Sequence, residues 1–89
     1  MEEKIIYLLT TELVDDAEED FYTARAFSSL EKAKAEMQIS IKDYKNNFLE
    51  NEDIKNFEIE ETDTYYSSFK IGWYTKHHFI TNIERVILE

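Results

Sequence analysis

The sequence predicts a two-layer α+β fold in which one long helix packs on a mostly antiparallel sheet of four or five strands, in the order ββαβββ. Two observations predict it. Between Ala26 and Leu49 the apolar residues Leu30, Ala33, Met37, Ile41, Tyr44 and Phe48 recur at steps of three or four, the period of a helix buried on one face. On either side of that stretch the helical period is lost, and short apolar runs or strict alternation take its place, as in Ile5 to Leu9 and Phe57 to Glu60.

Taken in order, Ile5 to Leu9 is a continuous apolar run, expected to form a strand covered on both faces and central in the sheet, with Thr10 and Thr11 extending it. Glu12, Asp15, Asp16, Glu18, Glu19 and Asp20 then crowd a stretch with little periodicity, expected as an exposed connection. A helical turn over Asp15 to Tyr22 is the alternative. Phe21 to Phe27 alternates and reads as a second strand that leads straight into the helix. There Ser28 and Glu31 make the S-x-x-E pattern of a capping box, so the helix starts near Ser29. Its polar side carries Lys32, Lys34, Glu36, Lys42, Asp43 and Lys45. At roughly 20 residues and ~1.5 Å per residue it spans ~30 Å, enough to cover a small sheet.

Asn51-Glu52-Asp53 marks the turn that follows. Phe57 and Ile59 then alternate with Glu58 and Glu60, the pattern of a half-exposed strand, while Glu61 and Asp63 fall on the apolar parity, so the strand ends near Glu60 or bulges. Thr64 to Ser68 fits no single class. Phe69, Ile71 and Trp73 alternate with Lys70, Gly72 and Tyr74 in a further strand, with Gly72 at a bulge or a close approach of backbones. His77 and His78 fall at its turn, and the β-branched run Phe79 to Leu88 closes the sheet.

A chain of 89 residues suits a single domain over residues 1–89 with a small core. The absence of cysteine excludes a disulfide framework and a thiolate metal site, and suits a reducing compartment. No apolar run has the length of a membrane span and the opening Met1-Glu2-Glu3-Lys4 is unlike a signal peptide, so a soluble, cytoplasmic protein is expected. With no proline and one glycine, a glycine-rich phosphate loop is absent. The net charge of -10 is concentrated in two blocks: eight acids and two bases in residues 1–27, and seven acids and one base in residues 49–68, each a net of -6. Phosphate-binding and anionic-lipid-binding surfaces need the opposite charge. A protein partner with a basic surface is favoured, and neither direct nucleic acid binding nor membrane binding is expected.

Few residues carry chemistry. His77 and His78 point to opposite faces if extended, so they cannot share one metal, and no acid is near them in sequence. Asp15 to Asp20 offers oxygens for a hard cation but lacks the spacing and central glycine of an EF-hand loop. No nucleophile stands beside a base, so no enzyme, cofactor or metal is expected. The better-motivated partner-binding residues are Asp15, Asp16, Glu18, Glu19 and Asp20 in the first block and Glu58, Glu60, Glu61 and Asp63 in the second. Alternate strand residues such as Glu58 and Glu60 stand roughly 6.7 Å apart, of the order of the charge spacing along a nucleic acid strand. An acidic sheet face could thus occupy a basic groove made for DNA or RNA, although acidic surfaces also simply maintain solubility. Tyr65 and Tyr66 are the second candidate surface, since tyrosine is enriched in interface hot spots; packing in the core is the competing role. An exposed edge strand can also pair two copies into a homodimer.

Three segments carry a family resemblance: Lys4-Ile5-Ile6-Tyr7-Leu8-Leu9, Ala26-Phe27-Ser28-Ser29-Leu30-Glu31-Lys32-Ala33, and Phe57-Glu58-Ile59-Glu60-Glu61. Together they resemble small uncharacterised proteins of phages and mobile elements of low-GC bacteria, over the first two thirds of the chain. That group has no common activity. Among small acidic phage proteins, inhibitors of host defence of the anti-CRISPR and anti-restriction type are frequent, and the resemblance implies such a role without assigning a residue to it.

Overall fold

In a computed structural model that describes residues 4–15, 18–49, 54–70 and 77–88, the apolar phase of the central stretch becomes helix α1, Leu30–Tyr44. Ala33, Met37, Ile41 and Tyr44 are buried along it, and Leu30 and Phe48 pack against them. The strands are β1 (Lys4–Asp15), β2 (Glu18–Phe27), β3 (Phe57–Glu61), β4 (Tyr65–Lys70) and β5 (His77–Leu88), giving the expected ββαβββ order. They form one sheet in the order β2-β1-β5-β4-β3, antiparallel at every pairing.

This order sets a task for the connection. Because β2 and β3 are opposite edges, the chain between them must cross the whole sheet. At ~1.5 Å per residue α1 is ~22 Å long, and it runs along the strands as it goes: Glu36 pairs with Arg25 of β2, and further on Ser40 and Asp43 line a recess with Phe21 of the same strand. Under it lie Leu9 and Thr11 of β1, Phe79, Thr81 and Ile83 of β5, and Tyr66 and Ser68 of β4, all buried. The two threonines satisfy each other, Oγ1 to Oγ1 at 3.0 Å.

Several expectations are corrected. Ser29, extended at φ -136° and ψ 136°, is the N-cap, and its Oγ accepts from the Lys32 amide at 3.3 Å. The third helical residue is therefore Lys32, and the reciprocal glutamate of a Ser28–Glu31 box is not in place. At the other end α1 passes into a π-helical turn, Lys45–Leu49, which keeps Phe48 on the core side and buries Leu49. β1 runs on through Glu12 to Asp15 and β2 already begins at Glu18, so most of the expected acidic connection is paired strand. The cause is β5, whose residues His77 to Ile80 offer ladder partners to Asp15, Val14, Leu13 and Glu12. The hairpin absorbs one extra residue of β2 in a bulge opposite Leu13 and Asp15. β1 is an inner strand but is covered on one face only: Ile6 and Leu8 face away from the helix and are shielded in part by their neighbours across the strands.

In the second half, a short 3-10 turn, Ile54–Asn56, leads into β3, which ends at Glu61 without a bulge. Tyr65–Lys70, which the sequence left unclassed at its start, is strand β4, and His77 and His78 open β5 in place of a turn. Asp16, the turn at Asn51-Glu52-Asp53, and Ile71 to Tyr74 with Gly72 and Trp73 lie outside the described residues. Among those described, no helix is long and apolar enough to cross a membrane.

The phase of α1 can be tested directly. Met37 is fully buried, so Met37→Ala is expected to cost about 2–4 kcal/mol, whereas Ile39→Ala, at a position 55% exposed, should stay within about 0.5 kcal/mol. Urea unfolding of the two variants checks this, and a chain of this length has only about 4–13 kcal/mol to lose.

Candidate functional site

The long β1–β5 ladder ends by setting Asp15 opposite His77, residues 62 apart in sequence, and Tyr44 at the end of α1 comes down on the same spot. Asp15 Oδ2 lies 2.6 Å from His77 Nδ1, His77 Nε2 lies 2.7 Å from the Tyr44 hydroxyl, and that hydroxyl lies 2.9 Å from Ser68 Oγ. A phenol has one proton, and Tyr44 donates it to Ser68 Oγ, so the Tyr44 oxygen is left to accept from His77 Nε2–H. The His77 ring is enclosed by Tyr44 and Phe48, with Phe57 edge-on at 5.8 Å. Side-chain exposures of 7% for His77 and 19% for Asp15 leave no room for a substrate at the imidazole. The chain of hydrogen bonds fixes Tyr44; it does not present a reactive group.

Tyr66 is the other buried phenol. It is fully buried, and its hydroxyl makes no hydrogen bond of good geometry among the described residues. Burial, and secondarily the Glu61 carboxylate, raise its pKa above the usual 10.0, and the nearby Ser68 hydroxyl moderates the rise. It belongs to the core and cannot meet a partner.

The second feature is the sheet face without a helix. Strand alternation and register place Ile6 and Leu8 of β1, Ile80 and Val86 of β5, and Tyr65 and Phe69 of β4 on it. Glu12, Glu58, Glu60 and Glu84 stand on the same face, and among the described strand residues Lys4 is the one lysine or arginine that the register puts there, since Arg25, Lys70 and Arg85 have the other parity. His78 shares this face, its Nε2 3.6 Å from Glu12 Oε1 and its ring against Phe69.

The residues singled out in the sequence therefore separate. Glu58 and Glu60 are exposed on one face of an edge strand, with half-buried Tyr65 on the same face of the adjacent strand β4. Glu61 points to the helix side and, with Asp63, Thr62, Lys34 and Gln38, lines a shallow recess of about 370 Å³. Asp20 is exposed on β2, the opposite edge, where Glu18 and Glu19 also lie, so the two acidic blocks occupy opposite edges of the sheet. Asp15 leaves the acidic set for the buried pair with His77. Sequence reasoning missed that pair because its members meet only through the register. Comparison with known proteins finds no matching family, no matching curated protein and no matching solved structure.

Two outcomes are expected. Tyr44→Phe removes the partner of both His77 Nε2 and Ser68 Oγ and should cost about 1–3 kcal/mol, and Asp15→Ala a similar amount; a double-mutant cycle should show the two to be coupled. Tyr66→Phe removes an unpaired buried hydroxyl and should be neutral or stabilising at pH 7. The unfolded phenol ionises at pH 10.0 and the folded one only above it, so the stability of neutral Tyr66 is intact below pH 10 and falls as pH rises through the raised value. The variant's advantage should grow over that range in alkaline unfolding curves.

Proposed function

We propose that this chain is a non-enzymatic protein-binding module that offers its uncovered sheet face to a protein with a basic surface. The observation that carries the reading is the composition of that face: apolar side chains of β1, β4 and β5 interleaved with carboxylates at Glu12, Glu58, Glu60 and Glu84 and a single lysine among its described strand residues. An apolar patch supplies area, and charge of one sign selects the partner and speeds its approach. The narrower form of the reading is that Glu58 and Glu60 stand in for phosphates in a nucleic-acid groove, as an inhibitor of a phage or mobile element would use them. The half-buried Tyr65 with Phe69 on the same face favours a second reading, assembly through an aromatic contact.

Salt separates the two. Partners captured on the immobilised chain at low salt should elute as ionic strength passes ~0.1 M, where the screening length is ~10 Å, and Glu58→Lys with Glu60→Lys should abolish capture. Release by added duplex DNA or RNA would mark the groove mimic. Retention unchanged by salt and by the charge reversals would overturn the basic partner and leave the aromatic contact.

A further inference from the structure

Between the end of α1 and the β1–β2 hairpin lies a cleft of about 240 Å³ whose walls and rim differ in kind. Phe21, Tyr44 and Phe48 form an aromatic wall, and Ser40, Asp43 and Asn47 form a polar rim along one side of the helix. The spacing explains the division, since positions 40, 43, 44 and 47 follow one another at helical steps on one face. The volume is below the roughly 300–1,000 Å³ of small-molecule sites, so a cofactor does not fit and one long side chain does.

We propose that this cleft binds a guanidinium group, delivered as an arginine side chain of the partner; the identity of the deliverer rests on the reading above, whereas guanidinium binding itself does not. The rim consists of groups that can accept hydrogen bonds: the Asp43 carboxylate, the Asn47 amide oxygen and the Ser40 hydroxyl. A guanidinium is a planar fork of five donors that is weakly hydrated and stacks on aromatic faces, which matches a carboxylate beside the exposed ring of Phe21 and the partly exposed ring of Phe48, with buried Tyr44 behind them. An ammonium, compact and strongly hydrated, uses the wall less well. An anion would meet Asp43 and a chain of net charge -10.

Three further observations fall at the same place. Asp43 has no ion-pair partner among the described residues. Phe21, a large aromatic, is left 50% exposed at the cleft. The helix changes to a π-helical turn at Lys45, within the cleft lining, and such turns are frequent at functional sites. The Tyr44 ring in the wall is also held still, by its hydroxyl bonds to His77 and Ser68 and by stacking on Phe79 at 4.1 Å. A rigid wall loses little freedom on binding.

The test is a titration of the isotope-labelled chain with N-acetyl-argininamide, followed by amide chemical shifts, with N-acetyl-lysinamide and the neutral isostere N-acetyl-citrullinamide alongside. A single side chain should bind in the millimolar range, with shifts clustered at residues 40–48 and around Phe21. Citrullinamide and lysinamide should bind at least fivefold more weakly, and Asp43→Asn and Phe21→Ala, with unchanged circular dichroism, should each weaken argininamide at least fivefold. Absence of saturable shifts, shifts centred on Glu58 and Glu60, or equal binding of either control overturns the proposal. Binding of argininamide by a chain that captures no basic protein would uphold the cleft and overturn the partner reading.

Discussion

The twelve-residue register between β1 and β5 is the constraint on which the rest depends. It runs from Lys4 opposite Leu88 to Asp15 opposite His77, joining the two ends of the described chain over their whole length. A slip of one residue would turn Leu9 and Thr11 out of the core and send Ile6 and Leu8 under the helix. The buried groups specify against that slip. Thr11 meets Thr81 through their hydroxyls, and Asp15 meets His77 at the far end, so a slip of β1 would leave Thr81 and His77 buried without their partners. Polar pairs under a helix add little net stability when satisfied, but leaving them unsatisfied is costly, and that asymmetry is what selects one register.

One helix on a five-stranded sheet leaves the two faces unequal. α1 lies on one face, so the opposite face keeps Ile6, Leu8, Ile80 and Val86 with only their neighbours for cover. Both outer strands carry carboxylates, Asp20 on β2 and Glu58 and Glu60 on β3. Edge carboxylates repel a second copy approaching edge to edge, which is how sheets avoid open-ended association. The same charge that opposes edge pairing of copies is the charge that the proposed basic partner would meet.

The architecture was legible in the sequence, and the chemistry was not. The period of three and four from Leu30 to Phe48 and the alternation of Phe57 to Glu60 are local signals, and α1 and β3 lie where those signals put them. The acids from Glu12 to Asp20 hid the ends of β1 and β2 because a strand made by pairing with a distant partner needs no apolar pattern of its own. His77 looked isolated for the same reason, its carboxylate being 62 residues away. Tyr65 and Tyr66 were separable only as opposite faces, and which of them would be covered depended on where the helix lay. The N-cap was misplaced by one residue because adjacent serines offer the same oxygen. The burial of Leu30 and Ala33 decides between them, since it fixes the rotation of the first turn.

Tyr44 links the interior to the surface. Its hydroxyl is the midpoint of the chain from Asp15 to Ser68, while its ring is at once a layer of the aromatic stack with Phe48 and Phe79 and part of a cleft wall. A free tyrosine ring at the end of a helix would swing with the fraying of the last turn. Here three strands hold it: β1 through Asp15 and His77, β5 through His77 and Phe79, and β4 through Ser68. A swing of the side chain that moved the hydroxyl would break two hydrogen bonds at a buried place. The buried polar chain thus acts at a distance from the groups it contains, by fixing a surface that none of Asp15, His77 and Ser68 itself reaches.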